Sequence, residues 1–235
     1  MTRHRWKECP APEIEAMLVN ADFSRTVVVT PDAYRWVTSP QRGVERMMLD
    51  RIGDEEARAT SIVRYAAQSG FPRHAHPLGE EILVLSGTFS DESGDYPAGW
   101  YLRNPPGSSH RPSSHAGTVI FVKLRQMRSA DDRVVRIATL PWQHASGPAV
   151  LPLFTSATEQ VVLQRLAAGE SVAEANTRSA ELLVLAGELL IETRPCPSGS
   201  WIRLPPGDRP TLLAGAQGAT FYLKTTRGFA PEWGA

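Results

Sequence analysis

Two short stretches carry the residues best able to do chemistry. The first is Gly70-Phe71-Pro72-Arg73-His74-Ala75-His76-Pro77-Leu78-Gly79-Glu80, and the second is Gly99-Trp100-Tyr101-Leu102-Arg103-Asn104-Pro105-Pro106-Gly107-Ser108-Ser109-His110. In a strand, residues two apart point the same way, so His74 and His76 share a face. Pro77-Leu78-Gly79 can turn the chain and return Glu80 to that side. Gly99 and the Pro105-Pro106-Gly107 turn bring a second hairpin back, with His110 facing the same cavity. Three imidazoles and one carboxylate suit Fe(II), Mn, Zn, Ni or Cu and are poor for Ca or Mg. Four protein ligands leave up to two positions of an octahedral ion open for substrate or O₂. The spacing therefore predicts one divalent transition metal held by His74, His76, Glu80 and His110. His4, His115 and His144 fit no such pattern and read as ordinary histidines.

The elements that must position these ligands are short strands. Runs rich in Val, Ile, Leu, Thr and aromatics occur at 27–30, 60–65, 81–85, 118–123, 161–166, 181–185 and 220–224, separated by 18 Gly and 19 Pro. That pattern predicts an all-β sandwich or barrel. A period of 3.6 is sustained only at 13–18, after Pro12, where a short helix is expected. Net charge is zero, with 25 Lys+Arg against 25 Asp+Glu, which removes the electrostatic case for nucleic acid or an anionic membrane as partner. No apolar run approaches the roughly 20 residues that span a bilayer. No apolar segment follows the basic start to make a signal peptide, so a cytoplasmic protein is expected. Cys9 and Cys196 are too few for a disulfide framework or a zinc cluster and read as free thiols, Cys196 in a turn.

A shift of 100 residues lays Glu81-Ile82-Leu83-Val84-Leu85-Ser86-Gly87 on Glu181-Leu182-Leu183-Val184-Leu185-Ala186-Gly187. Over positions 81–107, 12 of 27 residues are identical without a gap, which marks an internal repeat. The copies join around 131–140. In the second copy, His74, His76, Glu80 and His110 become Glu174, Asn176, Ala180 and Pro210, so that copy has lost the metal site. Glu81 and Arg103 keep their counterparts, Glu181 and Arg203. A residue retained where the metal site is gone is structural. Glu80 is therefore the ligand, while Glu81 is expected to face away and pair with Arg103 across neighbouring strands.

The two stretches resemble the two cupin signatures, G-x5-H-x-H-x3,4-E-x6-G and G-x5-P-x-G-x2-H-x3-N. The first glycine is displaced, and Ser114 stands where the final Asn would be. Residues 79–85, 95–99 and 105–110 are more narrowly similar to the cupin of ChrR-like anti-sigma factors and of acetylacetone-cleaving dioxygenases. That likeness is strong over 35–130 and weaker over 140–228. It implies two tandem jelly-roll-like, double-stranded β-helix barrels, a bicupin. The metal-bearing barrel would lie over 1–130 and a degenerate, metal-free one over 131–235, with the short helical segment at the N-terminus.

The resemblance implies a non-haem dioxygenase, Fe(II) or Zn being the first choices of metal and Mn or Ni the next. It would cleave a C–C bond in a small diketone or hydroxy-ketone, the metal acting as Lewis acid and template. The acetylacetone-cleaving pattern has three histidines, and Glu80 departs from it. The same ligands would serve a Zn or Mn hydrolase or isomerase, and the ChrR likeness implies a sensor or regulatory cupin without catalysis as the alternative. ChrR-like regulators carry a helical domain with a His and Cys zinc motif before the cupin. Too few residues precede the first barrel for one, so sigma-factor binding is not expected. Cupin likeness also implies a homodimer. No catalytic residue beyond the ligands is assigned. Arg64, Tyr65, Phe89, Tyr101 and Phe121 could line the first barrel or merely pack in it, and Arg111 could sit at the cavity mouth.

Overall fold

The computed structural model describes residues 17–226 apart from 144, 147–148, 173–178 and 209. Among the described residues the chain is all-β, with one 3-10 turn (Pro31–Ala33) and one helical turn (Leu140–Gln143). The expected helix at 13–18 lies outside the described residues except for its end, where Leu18–Val19 is a strand. His4, Cys9, His144, Glu174 and Asn176 also lie outside them.

Two antiparallel sheets organise the rest. The first runs in the order Leu18–Val19, Val44–Ile52, Arg58–Tyr65, Thr118–Leu124, Glu80–Asp91, Trp100–Asn104, Val135–Ala138. The second runs Ala149–Thr155, Glu159–Leu166, Leu212–Thr226, Ser179–Ile191, Trp201–Leu204, Val27–Val29. A separate ribbon pairs His74–His76 with Ser108–His110. The seven runs expected from composition coincide with strands among these elements, the first ending at Val29 rather than Thr30.

The repeat is visible as register. Glu81 pairs with Arg103 and Lys123, and Glu181 pairs with Arg203 and Lys224. The edges are exchanged between halves: Val27–Val29 closes the second sheet beside Trp201–Leu204, and Val135–Ala138 closes the first beside Trp100–Asn104. The stretch read as a linker is therefore partly a strand of the first sheet.

Three apolar cores follow from strand alternation. Along Glu80–Asp91, Ile82 and Val84 pack into a core inside the first half with Val63, Phe89 and Val122. Leu83, on the opposite face, joins Tyr101, Phe121, Leu183, Trp201 and Tyr222 in a core between the two sheets. A third core fills the second half with Leu182, Val184, Leu189, Ile191, Cys196 and Leu204. Cys196 is thus a buried strand residue rather than part of a turn, because it pairs with Leu189 across the Arg194–Pro197 hairpin.

Both long strands change face midway. The ladder with Thr118–Leu124 slips between Val119 and Ile120, so after Leu85 the odd-numbered side chains, Phe89 among them, turn inward. Gly87 follows this bulge at φ +70°, and a Cβ there would meet the Gly117 carbonyl oxygen at 2.0 Å; Gly187 repeats both features against Gly218 at 2.1 Å.

The core between sheets is not wholly apolar. Glu81 faces it and accepts a hydrogen bond from Arg103 Nη1 at 3.0 Å, as expected, and from Lys224 Nζ of the second half at 2.8 Å and the Tyr222 hydroxyl. Reciprocally, Lys123 of the first half donates to Glu181 at 2.6 Å, which also accepts from Trp201 Nε1 at 2.8 Å. Burial opposes ionisation of Glu81, but Lys224 and Arg103 outweigh it and hold the carboxyl at about 2. Tyr101 and Phe121 belong to this inter-sheet core instead of the interior of the first half, and Arg64 lies outside, paired with Glu45 and stacked on Trp36.

Candidate metal centre

Each candidate ligand is delivered by a local feature. His74 and His76 flank Ala75 on a three-residue strand whose antiparallel partner ends at His110, so all three rings meet across one short ribbon. The ring centroids lie 4.8 Å (His74–His76), 5.2 Å (His74–His110) and 4.8 Å (His76–His110) apart. Gly79, at φ +74°, donates to the His76 carbonyl and turns the chain into the long strand, so that Glu80 starts it on the even-numbered, inward face.

One nitrogen from each ring, taken together, lies within 4.8 Å of the others. His76 Nε2 and His110 Nε2 face each other at 3.0 Å, and Glu80 Oε2 stands 3.5 and 3.4 Å from them. Donors about 2.1 Å from a shared ion lie about 3.0 Å apart at right angles and about 3.4 Å apart in a tetrahedron. The separations among His76, His110 and Glu80 fall on these values, and the His74 nitrogen stands within 4.8 Å of the other two imidazoles. His76, Glu80 and His110 are buried and His74 is half-buried, which leaves His74 on the open side.

Hydrogen bonds set the tautomers. His74 Nδ1 lies 3.0 Å from the Pro72 carbonyl and His110 Nδ1 lies 3.4 Å from Asp91 Oδ2, so each Nδ1 is placed to donate a proton and, in a neutral ring, leaves Nε2 as the nitrogen with a lone pair. Burial lowers the pKa of His76, with Glu80 only partly opposing it. Burial also acts against the His110 imidazolium, but the bond to Asp91 and the nearby carboxylates outweigh it and raise that pKa. Asp91 is itself partly buried; the His110 and Ser93 hydrogen bonds and the charges of His110 and Arg136 nevertheless hold it below the usual carboxylate range. Phe71 packs edge-on against His74 and Phe89 lies 6.0 Å from the His110 ring, forming an apolar wall with Tyr65.

Spacing alone misses the residues that hold the ligands. Asn104, paired with Glu80 across the ladder, donates from Nδ2 to Glu80 Oε2 at 2.9 Å. Arg136, from the exchanged edge strand, donates to Asn104 Oδ1 at 2.6 Å. Asp91 reaches His110 only because the bulge turns odd residues inward. The signal was present in the repeat, where Asp91 and Asn104 face Ile191 and Leu204. His115 is exposed and meets Gln68, and Arg111 is exposed with its backbone N–H on Glu92. A larger cleft, about 770 Å³, opens between the halves and is lined by Arg58, Met127, Phe154, Glu159, Arg203 and Lys224 but by none of the four candidate ligands.

Residues 24–128 match the ChrR cupin-like domain family, a segment that contains all four of these positions. That match spans somewhat less than half of the 235-residue chain. Solved structures resemble the chain over nearly its whole length. A provisionally assigned dioxygenase from Nostoc punctiforme PCC 73102 aligns with TM-score 0.71 at 13% identity, covering 89% of this chain and 88% of that one. The bacterial pirin YhhW from Escherichia coli, in complex with nickel(II), aligns with TM-score 0.65 at 12% identity over 86% and 99%. Ylba from E. coli aligns with TM-score 0.64 at 16% identity over 93% and 96%. At such identities the likeness is one of fold. No functionally curated protein matches this chain. Among the described residues, no helix is long and apolar enough to cross a membrane.

Proposed function

We propose that this chain binds one divalent transition metal through His74, His76, Glu80 and His110 and uses it as a dioxygenase on a small diketone or hydroxy-ketone. The observation that carries the reading is the convergence of the buried His76 Nε2, His110 Nε2 and Glu80 Oε2 at 3.0 to 3.5 Å from one another, with a nitrogen of the half-buried His74 within 4.8 Å of the other two imidazoles. Fe(II) fits the dioxygenase reading; Zn, Mn and Ni suit the same donors. The division is a metal-bearing barrel over 1–130 and a metal-free barrel over 131–235, with a homodimer as the assembly.

A bound ion would supply a Lewis acid and template for two chelating oxygens of the substrate. The chain's own residues do the rest. Glu80, oriented by Asn104, presents its carboxyl to the centre. His74, on the open side, borders the approach. Phe71, Phe89 and Tyr65 exclude water from the apolar flank, and burial keeps the Tyr65 phenol neutral.

The match to ChrR-like cupins favours a second reading, a metal or small-ligand sensor without turnover. Anaerobic purification with metal analysis, followed by O₂ uptake on β-diketones and hydroxy-aryl ketones, separates the two. Bound Fe with substrate-dependent O₂ uptake supports the oxygenase. Bound Zn with no uptake on any of them leaves the sensor or a hydrolytic cupin.

A further inference from the structure

Arg136 lies on Val135–Ala138, the edge strand supplied by the connector between the two halves, and its guanidinium is shared between two branches that end on two of the candidate ligands. On one branch, Nη2 donates to Asn104 Oδ1 at 2.6 Å, and Asn104 Nδ2 donates to Glu80 Oε2 at 2.9 Å. Arginine has no acceptor, so the amide oxygen of Asn104 must face it and the NH₂ must face Glu80. On the other branch, Nε donates to the Tyr96 hydroxyl at 3.3 Å, Tyr96 donates to Asp91 Oδ1 at 3.5 Å, and Asp91 Oδ2 stands 3.4 Å from His110 Nδ1. Arg136 is itself pinned through Nη1 to the carbonyls of Val135 and Arg103, at 2.8 and 3.1 Å.

The second half provides an internal control. Leu102 pairs with Arg136 where Ile202 pairs with Val28, so Val28 holds the place of Arg136. By the same offset, Asn104, Tyr96, Asp91, Glu80 and His110 correspond to Leu204, Cys196, Ile191, Ala180 and Pro210. Leu204, Cys196, Ile191 and Ala180 form part of the apolar core there, with Val28 packed on it. Every member of both branches is lost where the ligands are lost, while Glu181, Arg203 and Lys224 between the sheets are kept. Residues that vanish together with a metal site, in a fold that does not otherwise need them, serve that site.

We propose that Arg136 is a positioning residue that couples the connector strand to the metal centre, fixing Glu80 through Asn104 and His110 through Tyr96 and Asp91. The proposal rests on the metal reading above. It places two of the four ligands under the control of a segment that belongs, by sequence order, to the junction of the halves, so displacement of that strand would loosen the metal.

The test is Co(II) titration of the full chain, followed by calorimetry and by the visible absorption of the bound ion, with Tm recorded for every variant. Arg136→Val, Asn104→Leu and Arg136→Lys are each expected to fold and to bind Co(II) about 10- to 100-fold more weakly, with an altered absorption band. The double variant Arg136→Val with Asn104→Leu is expected to lose much less than the product of the two single losses, because both act on Glu80 through one chain. If Arg136→Val fails to fold, Asn104→Leu and Tyr96→Phe decide, since each breaks one branch and leaves the arginine in place. Variants that bind Co(II) within about twofold of the wild type with an unchanged band overturn the proposal, provided Glu80→Ala weakens binding. Absence of Co(II) binding by the wild type overturns the metal reading itself, a distinguishable outcome.

Discussion

At an offset of 100 residues, Glu80, Asp91, Tyr96 and Asn104 of the first half face Ala180, Ile191, Cys196 and Leu204 of the second. The backbone around them is nearly the same: both long strands bulge at the same place, both carry a positive-φ glycine against a carbonyl, and both receive an edge strand from the other half. One interior gathers a cluster of polar side chains, and the other is an apolar core. Burying polar groups without partners is costly, so the second half replaced the whole set together. The side facing the other sheet behaves in the opposite way. There Glu81 and Glu181 each take a lysine from the opposite half, and the charged pattern persists in both copies. The two faces of a single strand thus carry different duties, and adjacent residues, Glu80 and Glu81, belong to different ones.

The sharpest way to break this comparison is Glu81→Ala. It removes one of the two carboxylates, Glu81 and Glu159, that Lys224 and Arg103 share, and the loss is expected to reach about 3 kcal/mol of unfolding free energy in urea. Metal stoichiometry of the folded fraction stays at one. Next comes His76→Ala, expected to weaken Co(II) binding by more than the roughly hundredfold that loss of an outer partner costs, while the metal-free protein unfolds at about the wild-type urea concentration. Equal metal loss in Glu80→Ala and Glu81→Ala would erase the distinction between the faces.

Acid sharpens the comparison on the shared side. Burial alone would raise the pKa of Glu181, but Lys123 outweighs it and holds the carboxyl below its ordinary 4.5. Its folded pKa is depressed, so its contribution is fully present above the unfolded value and disappears as pH falls through the folded one. The Glu181 contribution to unfolding free energy is therefore expected to be level above about pH 5 and to decline below about pH 4.5. In Glu181→Gln, already weaker at neutral pH, that acid limb should flatten; an undiminished limb would remove Glu181 from the account. The smallest effect belongs to His115→Ala. This exposed ring contacts Gln68, and its loss is expected to change stability by no more than about 0.5 kcal/mol and Co(II) affinity not at all.

Much of this was legible in the sequence because it depends on period and repeat. The strands at 81–85 and 181–185, the gathering of His74, His76 and His110 and the turn of Glu81 toward Arg103 follow from alternation, from the likeness to the cupin signatures and from comparison of the copies. Asp91 was not legible as the partner of His110, because a bulge at Leu85 reverses the face of everything after it and no local residue type announces the slip. Arg136 was hidden in a stretch that reads as a connector, and only the exchange of edge strands brings it beside Asn104. Lys224 and Tyr222 were invisible as partners of Glu81, since nothing in one copy states how it will face the other.

The central claim is that the chain holds one divalent ion, in the first half, between His74, His76, His110 and Glu80. Anomalous scattering at the cobalt edge from crystals grown with Co(II) tests it most directly. The expected result is a single strong peak per chain, bonded to three imidazole nitrogens and to Glu80 with Asn104 against its carboxylate. A peak bonded to Glu81, a peak within the second half, or no peak among the three histidines would contradict it.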